Sequence, residues 1–341
     1  MPLAQRLQLT PMKRNNHASA FLWLVASTAI ALGLAQTATA LPRPAQFTPG
    51  DVGISLASAG GEVWLYGDSH VDRQMVRNAV TLNGKYTGTI PAPGRGTWFW
   101  PGAAFTAGKG KVVIYGLQMT RTGSSSQWDF KTIGAARAVI DPANPAGGDV
   151  EPLPHDRLYW VSAAARDSKG TLLYAIDGSN RAHAGRPRAD GTVAEVAATG
   201  AWIGNQFSVV KDWFGKWWIV GQLPYLSRRV VAYPLAGPAG KVTGPALELY
   251  RLPTPGPNRI NYATSVHPEL NGLLTWAANG TGPGTPYGLQ HRQHFWPYSL
   301  AVAQLSPDLP SGGHALAAAV ARVEEAAVRL AAGRYVWQAL G

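Results

Sequence analysis

Residues 61–69 read GEVWLYGDS, and residues 70–73 continue with His70, Val71, Asp72 and Arg73. Val63 to Tyr66 is a four-residue apolar run bounded by Gly61 and Gly67. It is too short for a helix and reads as a buried strand. Two architectures close a strand on Gly-Asp-Ser. A GDS-type serine esterase presents its nucleophile there, on a fold that alternates strands with helices. A β-propeller blade presents an acid there, at the end of its second strand. Repetition of the strand decides between them.

The strand recurs. GKVVIYGLQ starts at Gly110, GTLLYAIDG at Gly170, GKWWIVGQL at Gly215 and GLLTWAANG at Gly272. These starts lie roughly 45 to 60 residues apart, the scale of a propeller blade. The context ahead of each recurs as well: WPGAAFTAGKG, WVSAAARDSKG, NQFSVVKDWFG and YATSVHPELNG, with ISLASAGG in the matching place of the first unit. Each unit therefore opens with a β-hairpin, and the turns of the later four hold Lys109, Asp167, Asp212 and Glu269. Further strands, such as one over 127–140, complete the units. One such sheet cannot bury both faces alone, and stacking sheets radially buries them. The expected fold is all-β, a five-bladed β-propeller over 41–310. A two-sheet sandwich is the competing architecture, but it does not call for five similar units.

The ends differ from this middle. Arg6, Lys13 and Arg14 precede an apolar stretch from Ala18 to Ala35, and Ala38-Thr39-Ala40 has the small-residue form of a cleavage site. Residues 1–40 read as a signal peptide, with an uncleaved membrane anchor as the alternative. Residues 311–341 read as a helical tail packed on the propeller, its helix over Ala315–Ala332. Cysteine is absent, so an exported chain must be held by its core, and 13 Trp, 12 Tyr and 8 Phe supply large side chains for one. The formal charge is +11. Its Lys and Arg residues are scattered, which argues against a nucleic-acid groove. The expected location is extracellular or cell-wall-associated, with no membrane contact after cleavage, and the expected state is a monomer.

In each hairpin the start of the first strand and the end of the second share one face. That face is expected to gather Asp68, Ser69 and His70, then Phe99, Trp100 and Gln118, then Tyr159, Trp160 and Asp177. Asn205, Gln206 and Gln222 follow from the fourth unit, and Asn261, Tyr262 and Asn279 from the fifth. Aromatic rings, amides and carboxylates around a funnel suit a sugar, whose rings stack and whose hydroxyls need directional partners. The esterase reading lacks support: no Asp has a His three residues later, and strands do not alternate with helices.

The segments VWLYGDS, FWPGAAF, AARDSKG, FSVVKD with KWWIVG, and YATSVHPEL with LLTWAAN together resemble secreted bacterial five-bladed propellers related to the arabinanase and furanosidase glycoside hydrolases. That group includes endo-D-arabinanase-like domains. The resemblance runs from about Phe47 to about Leu305, and Gly67-Asp68 is its best match to a site position. It implies hydrolysis of a furanose-containing, arabinan-type polysaccharide by acids from the first three blades. No Glu falls on the expected functional face, which is a departure from that set.

Glycoside hydrolysis uses two carboxyl groups, one giving a proton to the leaving oxygen and one attacking carbon or activating water. Asp68 is the first candidate, with Asp177 and Asp129 as candidate partners. Each has a plainer reading: Asp68 caps the strand, Asp177 serves a turn before Gly178, and Asp129 pairs with a basic side chain. Asp72 is close enough in sequence to tune Asp68. His70, Trp100, Trp160, Asn205, Gln206, Tyr262 and Asn279 are the candidate substrate-binding residues. His291 and His294 have a spacing that binds metal only on a helix, which nearby Gly and Pro oppose. No cofactor is expected; a structural calcium on the propeller axis stays open. The alternative function is a non-catalytic carbohydrate-binding or wall-associated propeller.

Overall fold

The computed structural model describes residues 47–72, 74–124, 129–212, 215–257, 259–270, 273–280 and 288–293. The expected signal peptide, the C-terminal helix and His294 lie outside the described residues. So does Trp128, while Asp129 is inside them. All described residues fall in one compact unit, Thr39–Val328.

Among the described residues the regular structure is β-strand, with single 3-10 turns at Gly108–Gly110 and Pro268–Leu270. The first strands are β1 (Phe47–Thr48), β2 (Ile54–Ser58), β3 (Gly61–Tyr66), β4 (Ser69–Val71), β5 (Gln74–Val76), β6 (Ala79–Leu82) and β7 (Lys85–Gly88). Next come β8 (Thr97–Thr106), β9 (Val112–Thr120), β10 (Lys131–Asp141) and β11 (Asn144–Pro152). The third group is β12 (Ala163–Asp167), β13 (Gly170–Ile176), β14 (Arg181–Pro187) and β15 (Val193–Trp202). The fourth is β16 (Phe207–Lys211), β17 (Trp217–Gln222), β18 (Arg229–Leu235) and β19 (Leu247–Arg251), and the last is β20 (Arg259–His267), β21 (Leu273–Gly280) and β22 (Gly288–Gln293).

These strands form six antiparallel sheets. Four have four strands, ordered β2-β3-β6-β7, β8-β9-β10-β11, β12-β13-β14-β15 and β16-β17-β18-β19. The fifth is β20-β21-β22. Each of these five starts with one of the expected hairpins: Ser58 faces Gly61, Asp167 faces Gly170 and Lys211 faces Trp217. The sixth sheet, β1-β4-β5, was not foreseen. The residues after Gly67-Asp68 do not pass directly to the next long strand. They make a short hairpin, β4-β5, that captures β1 and so ties the start of the described chain to the first hairpin.

The repeated strands are apolar without alternation because both faces of each sheet are covered. Side chains on a strand point to opposite faces with period two. Val63 and Leu65 therefore enter one core, with Ile114 and Ile140 of the next sheet, while Trp64 and Tyr66 enter another with Phe47. Leu173 packs with Tyr115, whereas its neighbours Leu172 and Tyr174 pack with Phe207 and Ile219. Trp218 and Val220 pack with Leu274 and Trp276. Full burial of one such side chain contributes roughly 1.5–3 kcal/mol.

The first strands adjoin in cyclic order: β2 with β8, β8 with β12, β12 with β16, β16 with β20, and β20 with β2. The last junction has its own polar contacts. Ser55 Oγ lies 2.5 Å from His267 Nδ1, and the His267 ring packs 4.6 Å from Trp64. Between β16 and β20, Ser208 Oγ donates to Val266 O at 3.0 Å and accepts from Val266 N at 2.8 Å. The five first strands line a shared cavity of about 260 Å³ that contains Ser55, Gly102, Ser162, Gln206 and Glu269.

Candidate functional site

The segment ahead of β2 holds a residue that the sequence reading passed over, Asp51. It lies against the Gly67-Asp68 corner. Asp51 N donates to Asp68 O at 3.2 Å, and Gly67 N donates to Asp51 O at 2.8 Å. Asp51 Oδ1 sits where a side chain at residue 67 would begin, since a Cβ there would be 2.0 Å away. Gly67 is thus required by close approach, and this approach places two carboxyl groups at one corner.

The backbone is strained on the other side of Asp51. Val52 has φ 74° and Gly53 has φ 64°. A β-branched residue in the left-handed region is a true outlier, and such strain costs roughly 1–3 kcal/mol. Gln206 holds the turn by donating Nε2 to Val52 O at 2.8 Å and to Ser265 Oγ at 2.7 Å. A second irregularity re-aims β20. Its register shifts between Tyr262 and Ser265, and Ala263 has φ 53°. Bulges of this kind redirect side chains. Here Tyr262 Oη donates to Asp51 Oδ2 at 2.8 Å, and Asn279 Nδ2 donates in turn to Tyr262 Oη. Asp51 Oδ1 and Asn279 Oδ1 are buried without a hydrogen-bond partner.

Asp68 meets different company. Arg77 donates to its Oδ2 at 2.9 Å and the Trp100 indole N–H donates to its Oδ1 at 2.8 Å. Arg77 also lies over the Trp98 ring, 4.6 Å from its centre. Burial raises the Asp68 carboxyl above the ordinary range, and the Trp100 and Arg77 bonds oppose that rise. Asp51 is pushed further, from 3.8 to about 7, first by burial and then by the Asp68 charge, against the Tyr262 bond. Two neighbouring acids in unequal surroundings titrate apart. Asp68, with its guanidinium and indole donors, ionises first, and Asp51 keeps its proton towards neutral pH.

Several expected residues converge on this corner. Trp100 touches Asp68, Tyr262 touches Asp51, Asn279 orients Tyr262, and Gln206 grips the Asp51 turn. His70 on β4 is close enough to Asp68 to favour its charge. Asp129 is not the first residue of a strand, since β10 begins at Lys131. Its Oδ1 accepts from Thr122 N, Thr122 Oγ1 and Ser124 N, which hold its carboxyl below the usual range. The adjacent Phe130 packs edge-on to Trp100 at 4.9 Å, so this loop walls the corner. Asp177 serves its own turn: Oδ1 accepts from Ser179 N and Arg181 N, and Oδ2 pairs with His183 at 3.2 Å. The structure gives it no bond to the Asp51–Asp68 corner.

Five expected face residues are buried instead, among them Gln222, whose Nε2 donates to Ser227 O and Asn261 O, and Asn261, whose Nδ2 donates to Pro253 O. Phe99 is fully buried in the core between the first two four-stranded sheets, one position out of phase with Trp100. Trp160 packs with Tyr115 and Leu173, and its N–H donates to Asp156, so its ring face is not presented. Ser69 is fully buried, donates to Gly67 O at 3.0 Å and accepts from Gly50 N at 3.1 Å. Asn205 is exposed and directly precedes Gln206. Among the described residues no three His, Asp or Glu side chains gather as a metal site.

No protein-family model matches the chain, and no curated protein matches it. Solved structures do. A Bacteroides ovatus protein assigned to the hydrolases aligns with a TM-score of 0.54 at 14% identity, over 79% of this chain and 90% of that one. A GH43_1 enzyme from Xanthomonas citri aligns with a TM-score of 0.51 at 15% identity, over 78% of this chain and 94% of that one. An alpha-L-arabinanase from Cellvibrio cellulosa is a weaker likeness, with a TM-score of 0.44 at 12% identity, over 71% of this chain and 91% of that one. The first two likenesses show the fold.

Proposed function

We propose that this chain is an exported five-bladed β-propeller that acts as a glycoside hydrolase on a furanose-containing, arabinan-type polysaccharide. In this reading residues 1–40 are a cleaved signal peptide, 41–310 the propeller and 311–341 a helical tail. The mature protein works outside the cell or at the wall, as a monomer and without a cofactor.

One observation carries the reading: Asp51 and Asp68 meet at one corner, both largely buried, one held by the Tyr262 hydroxyl and the other by Arg77 and Trp100. Hydrolysis of a glycosidic bond needs one carboxyl that can give a proton and one that is ionised. Asp51 is the proton donor to the leaving oxygen. Asp68, ionised beside Arg77 and Trp100, is the group that faces the sugar carbon or its attacking water. Trp100 and Phe130 form one wall, and Tyr262 and Asn279 hold the donor in place.

A specific feature favours a second reading, a carbohydrate-binding propeller without turnover. The residues three places ahead of β12 and β16, where Asp51 stands ahead of β2, are Trp160 and Gly204, and neither supplies an acid. Incubation of the mature chain with plant and cell-wall arabinans, followed by product analysis, separates the two. The hydrolase releases oligosaccharides, and Asp51→Asn and Asp68→Asn each abolish release while binding persists. Binding without products from the wild type leaves only the second reading.

A further inference from the structure

We propose that Tyr225 and Trp202 form an aromatic platform that binds a sugar ring of the same glycan outside the Asp51–Asp68 corner. The inference rests on the reading above that the ligand is a glycan.

Tyr225 is 82% exposed and its neighbour Leu226 is 53% exposed, in the connection from β17 to β18. Both have left-handed backbones, with φ 60° and 56°. A turn with positive φ at both central positions selects Gly or Asn, and large apolar residues there are strained. No core contact explains the choice, because the ring points to solvent. Its edge is nonetheless held. Asn180 Nδ2 donates to Tyr225 Oη at 3.3 Å, and the Trp202 ring lies 6.2 Å away at a 56° tilt. An exposed ring pinned at its edge, with an amide beside it, is the arrangement a sugar needs. The ring stacks and the hydroxyls meet Asn180.

The platform is continuous with the site. Gln206 follows Trp202 by four positions, a reach of at most about 14 Å. Gln206 grips the turn that carries Asp51. On the other side, Gln222 donates Nε2 to Ser227 O, which closes the Tyr225 turn, and to Asn261 O on β20. Two independent connections therefore hold the platform to the walls of the corner. A polysaccharide longer than the corner itself reaches it, whereas a short fragment does not.

The test measures binding of the full chain to a ladder of arabino-oligosaccharides by titration calorimetry, beside a panel of xylan, galactan and glucan oligosaccharides. Wild-type affinity rises with length. Tyr225→Ala and Trp202→Ala weaken the long members about tenfold and leave the shortest binder unchanged. Tyr225→Asn, which accepts the left-handed backbone, loses the same affinity while melting no lower than the wild type. A purely structural tyrosine would show the opposite. If wild type binds a glycan and the variants bind every length equally well, the platform is overturned and the glycan reading stands. Binding of no glycan by the wild type overturns the glycan reading, and the platform falls with it. Loss of self-association in Tyr225→Ala with unchanged glycan binding would make the patch a protein interface and refute the proposal.

Discussion

Replacing Asp51 by Asn should stabilise the protein increasingly as pH rises from about 4 to about 7, in full above that range and not below it. Asp51 titrates at about 7 in the fold against 3.8 ordinarily. Between these values the folded chain holds a proton that the unfolded chain has released. Its contribution is complete below 3.8 and is lost as pH rises through about 7. The shift is about 3 pH units, and each unit is about 1.4 kcal/mol, so ionised Asp51 costs the fold about 4 kcal/mol at about pH 8. Asn keeps the shape, still accepts from Tyr262, and carries no charge. In a chain of this size about 4 kcal/mol corresponds to a melting point roughly 10 °C higher. Thermal melts of wild type and Asp51→Asn at about pH 4 and about pH 8 check it. The curves should coincide in acid and separate in base. An equal gap at both values, or a wild type that gains stability on going from acid to base more than Asp51→Asn does, would refute the account of Asp51.

Gly67→Ala places a Cβ 2.0 Å from Asp51 Oδ1, and chemical denaturation should show a loss of about 1–3 kcal/mol. Ser69→Ala leaves the buried Gly50 N–H without its acceptor and should cost about 1–3 kcal/mol, with ester turnover no different from wild type; a specific esterase activity abolished by it would restore the GDS reading. His267 is held neutral by burial, with its pKa lowered from 6.5 to about 3. The unfolded chain takes up this proton first, so stability is present above 6.5 and falls towards 3 at up to about 1.4 kcal/mol per pH unit. Urea melts of His267→Gln should show a flatter acid limb.

The hairpins were legible because their signals are local. GEVWLYGDS and its four counterparts carry short apolar runs between glycines, and turns at Lys109, Asp167 and Glu269 follow from residues that favour them. Trp100, Gln206, Tyr262 and Asn279 were legible as a group because strand ends on one side must converge. Phase errors of one residue account for Phe99, which the pleat sends into the core beside Trp100. Asp51 was missed because Pro49-Gly50-Asp51 reads as an ordinary turn ahead of the first hairpin. A signal existed: aligning ISLASAGG with AAARDSKG of the third unit puts Asp51 where Trp160, itself a candidate, stands. The β1-β4-β5 sheet had no comparable signal, since three short strands pair only once β1 is carried to Val71.

By itself, then, the order of residues determined the all-β class, the repeated hairpins and the polar end to which each contributes. Those properties come from pleat, turn chemistry and apolar patterning over a few residues. Tertiary structure alone decided that Asp51, 211 positions from Tyr262, receives its hydroxyl and shares a buried corner with Asp68. Contact across that separation requires the last hairpin to close against the first. The protonation of the pair depends on how much water the closure removes, which no local pattern encodes.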